Sequence, residues 1–175
     1  MSDDKEEFEF DPSKIVKECF IDNVIKEENK DIGFDMSLLK REELHVNLIH
    51  FDLNITNSEN YDYYNNFKVD VVGGFQAIDD LEMLKKYLKA INKKKIPFIV
   101  ISSGSSGKDV IQICKNYSFV KEVIIFCGTY QYNKHYLDEY PGYVKKVFTN
   151  IHDVYNYIKS FKKDEYEEGI KNYKT

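Results

Sequence analysis

The sequence predicts an α/β domain built on a five-stranded parallel sheet, doubly wound in the Rossmann-like, flavodoxin-like manner, with an N-terminal helical extension. Three observations carry this expectation. From His45 onward, short apolar runs alternate with longer helical patterns, the signature of strands joined by helical crossovers. The runs at Val69–Val72, Pro97–Ile101 and Val123–Cys127 are apolar almost throughout, as strands covered on both faces are. The length of 175 residues suits one domain plus an extension, at about 100–200 residues per domain.

The elements follow in order. Residues 1–11 form an acidic tail whose composition favours disorder. Asp11 can cap a helix that starts on Pro12 and repeats Ile15, Val16, Cys19, Phe20, Val24 and Ile25 on one stripe. Gly33 ends that pattern, and Asp35 can cap a second short helix through Met36, Leu38, Leu39 and Leu44, so the extension covers 12–44. The α/β domain spans 45–162, with strands expected at Val46–Phe51, Val69–Val72, Pro97–Ile101, Val123–Cys127 and Val144–Phe148. Helices are expected at 79–93, where Leu81, Leu84, Leu88 and Ile91 share a face, and at 108–116, 133–140 and 151–161. The first connection, Asn54–Phe67, carries five Asn without apolar periodicity, so a regular helix is not expected there. Residues 163–175 form a polar C-terminal tail.

Charge and composition exclude several functions. The net charge is −5, and residues 1–11 alone carry six acids against one lysine, so the remainder balances to zero. A neutral body lacks the concentrated basic face that nucleic acid requires. No run approaches the ~18 apolar residues of a membrane span, and the acidic start suits neither a signal nor a transit peptide. A chain in the cytoplasm is the expectation, and Cys19, Cys114 and Cys127, without CxxC spacing, fit a reduced compartment. Arg41 is the sole arginine, which leaves little scope for bidentate recognition of phosphate or carboxylate. His45, His50 and His152 have no metal-ligand spacing with each other or with a cysteine. No cofactor is implied.

In such a sheet, ligands bind beyond the carboxyl ends of the strands. There the expected strands deliver Asp52, Asn54 and Thr56, then Gly73 and Gly74, then Ser102 to Gly107, then Cys127, Gly128 and Thr129, and last Thr149 and Asn150. The order and spacing of these segments, with Val71-Val72-Gly73-Gly74-Phe75-Gln76-Ala77-Ile78-Asp79-Asp80-Leu81 as the clearest stretch, resemble the receiver domains of phosphorelay proteins over roughly residues 45–161. Receivers carry an acidic pair after the first strand, a phosphoacceptor Asp after the third and a Lys after the fifth. This chain has Asp52 alone, Ser102 and Thr149 at those places. The resemblance therefore implies a degenerate pseudo-receiver without aspartyl-phosphate chemistry. Asp52-Leu53-Asn54-Ile55-Thr56 also resembles the DxDxT loop of haloacid-dehalogenase-type phosphatases, but Asn54 replaces the general acid.

The segment Ser102, Ser103, Gly104, Ser105, Ser106, Gly107, Lys108 leaves a buried strand and opens a helix, so its backbone amides, with Thr129 nearby, could cradle an anion. It lacks the first Gly and the final hydroxyl of a Walker A loop, Asp109 standing at the latter place. The alternative reading is a strand-to-helix turn capped by Ser106 or Asp109. Cys127 ends a strand where a thiolate could attack, yet no activating cation adjoins it in sequence. Tyr61, Tyr63, Tyr64 and Phe67, and later Tyr130, Tyr132, Tyr136, Tyr140 and Tyr143, form two aromatic clusters. Such residues suit protein interfaces as well as cores.

The preferred expectation is a non-catalytic interaction module, with Phe20, Val24, Tyr61, Tyr63, Tyr64, Tyr130 and Tyr132 offered to a protein partner or a second copy. The alternative is a protein that binds a small anionic ligand such as a nucleotide or phosphoester, or a phosphatase-like hydrolase that uses Asp52 and the loop Ser102–Lys108.

Overall fold

The structure, a computed structural model, describes residues 42–94 and 96–161. Of the helical extension only residues 42–44 are described, and they are not helical, since Leu44 forms a parallel bridge with Val71; the remainder with Phe20 and Val24, the acidic tail and the C-terminal tail lie outside the described residues. The elements run β1 (Leu48–Phe51), α1 (Ser58–Asp70), β2 (Phe75–Ile78), α2 (Leu81–Ile91), β3 (Phe98–Ser103), α3 (Gly107–Cys114), β4 (Val120–Phe126), α4 (Tyr130–Asn133), α5 (His135–Glu139), β5 (Val147–Phe148) and α6 (Ile151–Lys159). All five strands are parallel, in the order β2-β1-β3-β4-β5. This is the flavodoxin-like doubly wound arrangement, whose order reverses between β1 and β3.

Side-chain alternation builds two apolar layers, one on each face of the sheet. Ile49, Phe51, Ile78, Val100, Val123 and Ile125 point to the layer closed by α2, α3 and α5. Leu48, Phe75, Ala77, Ile99, Ile101 and Ile124 point to the layer closed by α1 and α6. The period of two along each strand makes that division unavoidable once the strands pair in register. Helix α2 forms because Leu84, Leu88 and Ile91 fall on one buried face and because the Asp80 side chain accepts the Met83 N–H at 2.9 Å. Asn150 caps α6 in the same way, through the His152 N–H at 2.8 Å.

Two expectations about the first third of the domain are corrected. The segment after β1 is a regular helix, α1, over Ser58–Asp70. Tyr64 and Phe67, both 0% exposed, and Val71 follow each other at helical spacing and pack onto the sheet. The stripe is aromatic, so it escapes a search for aliphatic periodicity. The second strand is Phe75–Ile78 rather than Val69–Val72. Val69 and Asp70 close α1, and Val71 makes only an isolated parallel bridge with Leu44. Pairing with β1 selects the less apolar Phe-Gln-Ala-Ile stretch, and Gln76 is consequently buried. The helix expected at 133–140 is two short ones, α4 and α5, and β5 is limited to two residues.

At the amino edge of the sheet, Asn47 fastens three strands. Its Nδ2 donates to Pro97 O at 3.1 Å, its Oδ1 accepts the Gly74 N–H at 2.8 Å, and its backbone carbonyl accepts the Ile99 N–H at 3.0 Å. On the α1 side, Asp70 accepts the Tyr155 hydroxyl at 2.6 Å and the Glu42 N–H at 3.0 Å. That carboxylate ties the end of α1, the entry to β1 and helix α6 together. Among the described residues no helix is long and apolar enough to cross a membrane.

Candidate functional site

The carboxyl edge of the sheet is where the fold would present a ligand, and β3 delivers the serine-glycine loop there. Four of the loop's residues are buried, Ser102, Gly104, Ser106 and Gly107. Ser102 is fully buried and its hydroxyl donates to Ser103 O at 2.9 Å, Ser106 is 3% exposed, and Gly107 is buried beneath Tyr136. Ser103 Oγ is shielded from solvent and has no hydrogen-bond partner among the described residues. Ser105 and Lys108 face solvent.

The cradle that these amides could form is already filled by the chain itself. The Tyr136 hydroxyl donates to Gly104 O at 2.7 Å and accepts the Lys108 backbone N–H. Tyr136 is 5% exposed, and burial holds its phenol above the ordinary tyrosine value. Asn133 lies over the loop as well, since a Cβ on Gly104 would sit 2.2 Å from its Oδ1. Its Nδ2 donates to Thr129 O at 2.8 Å, which fixes α4 in that position. A Cβ on Gly107 would meet Tyr136 Cζ at 2.8 Å and Ile125 Cδ1 at 2.9 Å. Gly107 is therefore demanded by close approach of the buried Tyr136 ring, whereas at Gly104 a Cβ would displace the Asn133 amide. Ser106 occupies the cap position of α3 without making a side-chain cap bond. The tyrosine hydroxyl serves there instead.

The nucleophile candidates are placed but not activated. Asp52 follows β1, and its Oδ1 accepts the Asn54 N–H at 2.8 Å, which closes a tight turn. Burial raises its carboxyl pKa, with the Asn54 bond acting the other way. Cys127 is half-buried, and its Sγ lies 3.6 Å from Thr129 O and 3.7 Å from Phe148 O, both acceptors. Burial pushes its thiol up, whereas a reactive cysteine needs its pKa lowered. Cys114 lies in the core, where burial pushes it up to about 12. Among the described residues no group of three or more His, Cys, Asp or Glu side chains could hold a metal ion.

The correction to β2 moves one strand end. Asp79 and Asp80 follow β2, while Gly73 and Gly74 precede it. The register Phe51↔Ile78 sets Asp79 beside Asp52 along the edge. Asp80 is used as the α2 cap, and burial raises the carboxyl of Asp79.

The aromatic candidates divide between core and surface. Tyr64 is fully buried and offers nothing to a partner. Tyr61 and Tyr63 are half-buried against the α1 layer, with the Tyr63 ring edge-on to Phe126 at 5.1 Å and its hydroxyl bonded to Glu59 at 2.9 Å. Tyr130 and Tyr132 remain exposed, at 44% and 79%. Leu53, 54% exposed, joins them as the remaining large hydrophobic side chain open to solvent among the described residues. Leu53 follows β1 and the two tyrosines follow β4, so all three stand on the carboxyl edge, on either side of the β3 loop. An apolar residue inside the polar Asp-Leu-Asn turn is the sequence signal that points to Leu53. For Tyr136 and Asn133 no local signal exists, because their partners are about 30 residues away.

Comparisons with protein-family models, with curated proteins and with solved structures find no match to this chain, and no family is assigned to it.

Proposed function

We propose that the domain is a non-catalytic, receiver-like interaction module that holds a protein partner, or a second copy of itself, on the carboxyl edge of its sheet. The observation that carries this reading is the placement of Leu53, Tyr130 and Tyr132, the three exposed large hydrophobics of the described residues, around a loop that Tyr136 and Asn133 cover. Tyrosine in such a place contributes large contact area at small entropic cost. The missing acidic pair, phosphoacceptor Asp and Lys favour a pseudo-receiver over a working one. The raised thiol of Cys127 and the turn-bound carboxylate of Asp52 leave no activated nucleophile for the hydrolase reading.

The test is a paired substitution, Leu53→Asp with Tyr132→Asp, followed by sedimentation equilibrium of the purified chain and titration against its isolated partner. Both side chains are exposed, so the melting temperature is expected to hold. Binding or self-association is expected to weaken by about 30-fold or more, the scale of one interface hot spot. Unchanged binding with an unchanged fold would remove the carboxyl edge from the interface.

A further inference from the structure

The layer opposite α1 carries a concentration of positive charge that the neutral balance of residues 12–175 conceals. Between residues 81 and 116 the sequence holds eight lysines against two acids, Glu82 and Asp109. A groove of about 610 Å³ runs between α2 and α3, lined by Leu81, Ile113 and Tyr117 and by exposed Lys85, Lys86 and Lys89. Both acids also line it. Glu82 is already paired with Lys85 at 3.0 Å, and Asp109 stands in the first turn of α3. Lys85 and Lys89 lie one turn apart on the same helix, where like charges repel. An acidic occupant with apolar side chains would relieve that repulsion and cover the groove's apolar lining.

We infer that the chain's own segment Asp3–Asp11 docks in this groove. It reads Asp-Asp-Lys-Glu-Glu-Phe-Glu-Phe-Asp, with six acids against one lysine. In an extended conformation Phe8 and Phe10 fall on one side and Glu7 and Glu9 on the other. That pattern sets rings against Leu81, Ile113 and Tyr117 and carboxylates against the flanking lysines. About 30 residues separate Asp11 from Glu42. A chain of that length spans about 30 Å as a coil and up to about 100 Å extended, and a domain of this size is about 35 Å across. Tethering gives the segment a local concentration of order millimolar, so a weak contact is populated. None of Leu53, Tyr130 and Tyr132 lines the groove, so this contact does not rest on the proposed partner surface.

Carbodiimide cross-linking of the full chain, read by peptide mass spectrometry on an equal mixture of ¹⁴N- and ¹⁵N-labelled protein, tests the inference. Cross-links from Glu6, Glu7 or Glu9 to Lys85, Lys86 or Lys89 are expected within one isotope. Their yield should fall several-fold in 1 M salt, where the screening length is about 3 Å. They should also be lost in a Lys85→Glu, Lys89→Glu variant that keeps its circular dichroism and melting temperature. Absence of these links, an even spread to Lys134, Lys145 and Lys146, or pairs of mixed isotope alone would overturn docking within the chain.

Discussion

Replacing Gly73 by Ala is expected to lower the unfolding free energy by about 3 kcal/mol, the upper end of the range for overpacking a close-packed site. The new Cβ would sit 2.3 Å from Val46 O and 2.5 Å from Asn47 Oδ1. Val46 O belongs to the backbone just before β1 and cannot rotate away. Movement of the Asn47 side chain would break its bonds to Gly74 and Pro97, which join three strands at the amino edge. A buried amide left unsatisfied adds about 1–3 kcal/mol of its own. Urea denaturation should show a lower midpoint with an unchanged slope. As a contrast, Gly142→Ala, where a Cβ meets nothing within 4 Å, should stay within about 0.5 kcal/mol of the parent. Equal stability of the Gly73 variant and the parent would contradict the packing of Val46, Asn47 and Gly73.

Acid sensitivity traced to His50 is the second large effect. His50 lies in β1, an interior strand, 2% exposed, edge-on to Phe67 at 5.3 Å, and its Nδ1 has no hydrogen-bond partner among the described residues. Burial lowers its pKa from 6.5 to about 4. Between those values the unfolded chain binds a proton that the folded chain refuses, so stability is full above pH 6.5 and falls as the pH drops toward 4. The loss approaches about 3 kcal/mol. Asp52, Asp79 and Glu122 act in the opposite sense, because burial raises their carboxyl pKa values and the folded state takes up protons more readily there. Comparing the parent with His50→Leu isolates the histidine. The parent should lose about 3 kcal/mol more than the variant between pH 7.5 and pH 4, read from denaturation midpoints. Parallel pH profiles would contradict a buried imidazole that stays neutral in the folded chain.

Most of the architecture was legible because its signals are local. The run Phe98–Ile101 is apolar on both faces and could only be a covered strand, and α2 announces itself by Leu84, Leu88 and Ile91 with Asp80 before them. Where the signal was tertiary, the sequence misled. The stretch Val69–Val72 is richer in Val than Phe75–Ile78, yet hydrogen bonding to β1 chose the latter. Tyr64 and Phe67 had the spacing of a helix, but the surrounding Asn and Tyr residues carry no aliphatic pattern. The candidate site was half legible for the same reason. The order of strand ends brought Asp52, the serine-glycine loop and Cys127 to one edge, as composition and spacing foretold. The occupation of that loop by Tyr136 and Asn133 depends on contacts across β4, which no local pattern records.

The place where this fold would receive a small anionic ligand is filled by its own Tyr136, and the edge is proposed to hold a protein partner instead. Titration of inorganic phosphate and of ATP into the ¹⁵N-labelled chain, followed by amide resonances, tests it most directly. The amides of Gly104 to Asp109 are expected not to move up to millimolar ligand, and Tyr136→Phe, which removes the hydroxyl bonded to Gly104 O, is expected to perturb those amides without any ligand. Saturable shifts of Ser105 to Lys108 in the parent chain would contradict it and return the loop to ligand binding.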